Sequence, residues 1–75
     1  MKLPIVSARK VIKALKSVGF EITRQSGSHI ILVKFEDNKK LTVVVPNHEE
    51  IAKGTLLSII QQSGLTKEEF IKLLR

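Results

Sequence analysis

A chain of 75 residues with 43% hydrophobic residues, no cysteine and a net charge of +6 is expected to form one small domain, residues 1–75, burying about 60% of the surface its unfolded form exposes. The lack of cysteine excludes a disulfide framework and a thiolate metal site. No segment reaches the ~18 apolar residues of a membrane span, and the apolar run in MKLPIVSARK is too short for a secretory leader, so a soluble cytoplasmic protein without a membrane partner is expected.

Ser7 is placed to cap a helix in which Ala8, Val11, Ile12, Leu15 and Val18 share one face, with Gly19 as its stop. Arg9, Lys10, Lys13 and Lys16 fall on the opposite face. Residues 20–24 alternate apolar and polar like a half-buried strand, and residues 25–28 read as a turn into a second strand over 28–35. Residues 36–39 have turn composition, residues 40–45 form a β-branched third strand, and Pro46 ends it. Three strands joined by short turns predict an antiparallel meander.

The second and third strands are apolar at nearly every position, whereas a sheet with one solvated face should alternate. Helices of the same chain can cover one face only, so the other is expected to meet a second copy or a partner. His29, Ile31, Val33 and Phe35 share one face, and Ile30, Leu32 and Lys34 the other. A further amphipathic helix begins near Gly54, carries Leu56, Leu57, Ile59 and Ile60, and stops at Ser63-Gly64. Thr66 and Glu69 then form a capping box for a last short helix, with Leu65 and Phe70 as its staple. The predicted class is α+β, with an α-β-β-β-α order like that of double-stranded-RNA-binding domains, a short C-terminal helix, and a three-stranded antiparallel sheet packed on helices.

The charge is uneven: residues 1–48 hold nine Lys/Arg against three Asp/Glu, whereas residues 49–75 hold four of each. Such a balance suits a surface that meets a polyanion, or one that is simply solvated. Within the basic part, Gly27-Ser28-His29 puts an imidazole where a turn becomes a strand. With an ordinary pKa of about 6.5, a histidine can accept a proton from a ribose 2′-hydroxyl near neutral pH, while Lys or Arg offsets charge on the phosphorane. Taken alone, a Ser-His pair beside a turn is more often structural. His48, beyond the far end of the third strand, comes to the same side of the sheet if the second and third strands pair, either as a second proton-transfer group or as a loop residue ordered by Glu49 or Glu50.

Other chemistries fit less well. His48-Glu49-Glu50 lacks the second histidine of a zinc-protease helix, and two histidines without cysteine make a poor metal site, so neither metal nor cofactor is expected. No nucleophile elbow or glycine-rich phosphate loop is present. All three Phe lie in apolar patterns and Trp and Tyr are absent, so no aromatic stacking platform is expected.

Gly27-Ser28-His29, a two-strand hairpin ending in Val45-Pro46 with His48, Gly54-Thr55-Leu56 with an isoleucine-rich helix, Gly64-Leu65-Thr66 and Glu69-Phe70 together resemble the HicA (YcfA-like) mRNA interferase toxins. The likeness covers nearly the whole chain, including Gly19-Phe20 after the opening helix. It implies a double-stranded-RNA-binding-like fold, a ribonuclease toxin of a type II toxin–antitoxin pair, mRNA as substrate, and a HicB antitoxin that masks the active site. It also implies that His29 is catalytic, and it gives His48 a recurrent position without a role. The hairpin turn departs from a basic RNA-gripping loop in carrying Glu36 and Asp37, which moves the expected nucleic-acid contacts to Ser28, Arg9, Lys10, Lys13, Arg24 and Lys34. The free protein is expected to be monomeric or weakly dimeric and to gain stability with its antitoxin. Beside this enzyme reading stand a non-catalytic RNA-binding module and an interaction protein with an acidic partner.

Overall fold

The computed structural model describes residues 3–74. Its elements run α1 (Ala8–Ser17), β1 (Glu21–Ser26), β2 (His29–Glu36), β3 (Lys39–Pro46), α2 (Lys53–Ser63) and α3 (Lys67–Leu73). The three strands form one antiparallel sheet in the order β1-β2-β3. The α+β class and the meander are therefore as expected.

Local chemistry sets most boundaries. The Lys10 N–H donates to Ser7 Oγ at 3.4 Å, satisfying a helix-terminal donor that has no partner within α1. Gly27 has φ 59° at the first position of a two-residue turn, which an L side chain would resist. The next turn has positive φ at both Asp37 (49°) and Asn38 (64°), the pattern whose twist matches paired strands. At the last helix, Glu69 N–H donates to Thr66 Oγ1 at 3.1 Å while Thr66 N–H donates to Glu69 Oε1 at 2.8 Å, closing the expected capping box.

The core lies between one sheet face and the helices. Ile30, Leu32, Val43 and Val45 from the sheet meet Val11, Leu15, Leu56, Ile59 and Phe70 from the helices, with Phe20 also buried among them. Each large side chain taken fully out of water here contributes about 1.5–3 kcal/mol. The helices pack chiefly against β3. As a result β1 overhangs the core and every one of its residues is exposed, where alternation had predicted a half-buried strand. A register shift between Ile22 and Arg24 adds a bulge to it. The two sheet edges also differ, because the Val44 N–H on β3 donates to Gln62 Oε1 of α2 at 3.1 Å.

The opposite sheet face carries His29, Ile31, Val33 and Phe35 of β2, which pair with Pro46, Val44, Thr42 and Lys40 of β3. Among the described residues no helix covers it. Val33 is buried yet stands outside the core cluster, Val44 is 37% exposed, and Phe35 is 76% exposed. Of the three phenylalanines, only Phe20 and Phe70 belong to the core.

Candidate functional site

His29 is the first residue of β2, immediately after the Gly27-Ser28 turn. A β-strand fixes which face a side chain leaves from, so His29 is committed to the helix-free face by its register with Pro46. The ladder continues one step past β3, where the Asn47 N–H donates to the Ser28 carbonyl at 2.6 Å. The turn and the end of β3 are thereby tied together directly beside His29.

His48 follows in a segment held by its main chain. Its N–H donates to the Pro46 carbonyl at 2.8 Å, and its own carbonyl accepts from the Ala8 N–H at 2.9 Å. Three residues on, Ile51 N–H donates to Val6 at 2.9 Å. The start of α1, one of whose terminal N–H groups would otherwise lack a partner, fixes the loop that presents the second histidine.

These restraints place His29 and His48 in the lining of one open cleft of ≈ 450 Å³. Val44 and Pro46 form its strand side, and Glu50, Thr55, Ser58 and Gln62 complete it from the loop and α2. Both imidazoles are exposed to solvent. A groove of similar size, ≈ 430 Å³, runs beneath β1 between Lys16, Phe20 and Ile22 and contains no histidine. The cleft therefore combines two imidazoles, one carboxylate, and hydroxyl and amide groups able to hydrogen-bond a polar substrate. Among the described residues, no three His, Cys, Asp or Glu side chains gather as a metal-ligand set.

The expected nucleic-acid contacts are dispersed. Ser28 and Arg24 lie with His29, Ser28 in the turn and Arg24 on β1 opposite Ile31, on the same sheet face. Arg9 borders a hollow shared with Asn47, His48 and Glu49, next to the cleft. Lys10 and Lys13 are exposed on α1 but border Leu73 and Leu74 at the end of α3. Lys34 leaves the sheet from the face opposite His29. Its ammonium lies 5.9 Å from the centre of the Phe20 ring and 3.9 Å from Glu36, and its chain covers Gly19.

Thr55, Ser58 and Gln62 were not singled out from the sequence. Their spacing of three and four residues does mark them as one polar face of α2, but only tertiary packing sets that face beside β3. With the geometry established, comparison with known families gives a match of residues 8–65 to the family described as HicA toxin of bacterial toxin-antitoxin. No curated protein matches the chain.

Proposed function

Because the chain belongs to the HicA toxin family, and so is a toxin of a toxin–antitoxin system with an antitoxin as partner, we propose that it is an endoribonuclease that cleaves mRNA with His29 as catalytic acid/base. The observation that carries this reading is the convergence of the chain's two histidines on one cleft. An RNA strand bound there brings its own nucleophile. His29 takes the proton from a ribose 2′-hydroxyl, the 2′-oxygen attacks the adjacent phosphorus, and the bond to the 5′-oxygen breaks. His48 gives a proton to that leaving oxygen, so the products are a 2′,3′-cyclic phosphate and a 5′-hydroxyl. Arg9, which borders a hollow with His48, and Arg24, on the sheet face of His29, offset phosphate charge, and Ser28 holds the strand at the turn.

The partner is proposed to be a HicB-type antitoxin that covers the cleft and adjoining apolar sheet face. Burying Val44 and Phe35 gives such a complex an apolar centre. The test is cleavage of an mRNA by the native chain and by His29→Ala, with EDTA present and with a 2′-deoxy substitution at the cut site. Cleavage that resists EDTA and disappears with either substitution supports the reading. Cleavage unaffected by His29→Ala removes it.

A further inference from the structure

The mechanism above uses one end of the helix-free sheet face, and the other end holds the molecule's least expected side chain. Phe35 is 76% exposed, although an apolar strand run predicts burial. It is not an isolated surface residue: Ile31 and Val33 precede it on the same face, and Val44 adjoins them on β3. Lys40 is its direct partner across the β2–β3 ladder, and Arg24 lies opposite Ile31 on β1. Glu21, opposite Val33, is the one carboxylate among the paired residues of this face. The face thus offers a solvated ring beside a cation, on the same surface as His29 and six residues along the same rigid strand. At about 3.3 Å per residue that separation is ~20 Å, a reach of several nucleotides.

We propose that Phe35, with Lys40 beside it, is a base-stacking subsite for single-stranded RNA whose cleaved bond lies at His29. This rests on the ribonuclease reading and adds to it where the strand runs. A planar base can lie on an exposed aromatic ring whatever its sequence, and a neighbouring ammonium meets the phosphate of the stacked nucleotide. The apolar Val33–Ile31 stretch leads from the ring toward the cleft, and Arg24 flanks it on the β1 side. RNA is the occupant of the uncovered face because the ring is bordered by Lys40 and shares its face with His29, and an antitoxin burying the same ring would exclude it.

The experiment compares the full-length native chain with Phe35→Ala, Phe35→Leu, Phe35→Trp and Lys40→Ala. Binding is read by fluorescence anisotropy on a short single-stranded 2′-O-methyl oligoribonucleotide, which lacks the nucleophile and stays intact. Cleavage of the unmodified RNA is followed in parallel. Because the ring is mostly solvated, unfolding midpoints should hold for all four variants. The expected result is a Kd raised about ten- to a hundredfold in Phe35→Ala and Phe35→Leu, and native-like or tighter binding in Phe35→Trp. Cleavage by Phe35→Ala should show a higher KM with kcat nearly unchanged, and Lys40→Ala should weaken the salt dependence of binding. Native affinity in Phe35→Leu overturns the subsite, since it would show that stacking contributes nothing. So does a Phe35→Ala chain that cleaves with native KM and loses only its affinity for the antitoxin. A native chain that neither binds nor cleaves RNA overturns the ribonuclease reading itself, a result distinct from the other two.

Discussion

The Ala8 N–H donates to the His48 carbonyl at 2.9 Å, so the first residue of α1 anchors the second histidine of the cleft by its main chain. Replacing the imidazole should therefore leave the loop in place. We expect His48→Ala to fold with a native unfolding midpoint and to lose about a hundredfold or more in cleavage rate, the usual contribution of a positioned proton donor. Unchanged kcat in that variant would leave His29 to act without it.

Gly27 predicts a purely conformational effect. Nothing lies within 4 Å of a Cβ built there, yet its φ is 59°. Gly27→Ala and Gly27→Asn should each destabilise the fold by about 1 kcal/mol, because a two-residue turn with positive φ at its first position alone calls for glycine there. Urea denaturation of the two variants checks this. An alanine as stable as glycine would show that the turn relaxes to another form.

The box at α3 links stability to pH. The hydrogen bond from the Thr66 backbone, then that from its side chain, hold the Glu69 carboxyl below its ordinary value of 4.5. A group whose pKa is lowered on folding contributes its full stability above the unfolded value and loses it as the pH falls through the lowered one. Native Thr66–Glu69 should therefore weaken on acidification in that range, whereas Glu69→Gln, which can still cap, should lack this component. Thr66→Ala should cost about 1 kcal/mol at neutral pH. Identical acid titrations of the native chain and Glu69→Gln would contradict the assignment.

Arg24 and Lys34 should behave differently despite equal charge. Arg24 shares the face of His29, so Arg24→Ala should weaken RNA binding and lower its salt slope by about one phosphate contact. Lys34 is engaged by Phe20 and Glu36 on the other face. Lys34→Ala should leave the salt slope alone and lower stability modestly, through lost packing over Phe20 and Gly19. Equal salt slopes in the two variants would count against a strand path on the His29 face.

Much of the fold and of the site is legible in the sequence itself. Caps and turns are local, so Ser7, Gly27, Gly64 and the Thr66–Glu69 pair announce themselves within a few residues. The convergence of His29 and His48 also follows from local chemistry: the tight turn at Asp37-Asn38 sets the register that pairs His29 with Pro46, two residues before His48. The exposure of β1 was not readable, because alternation says which residues share a face but not whether a helix extends beneath them. Phe35 misled for a similar reason, lying at the end of an apolar run where the covering elements stop. The contribution of α2 to the cleft depends on docking between segments far apart in sequence, which no local pattern encodes.

The bond from Val44 to Gln62 has a consequence for assembly. A sheet with two open edges can add copies of itself without limit, each newcomer offering the next a template. Here a side-chain amide occupies a donor on the β3 margin, leaving β1 as the more accessible margin. Two molecules joined there would each have spent their accessible side on the other, and growth would end at a pair. Gln62 thus occupies one backbone donor of the β3 margin while also walling the cleft, which makes the two margins unequal as templates for a further strand.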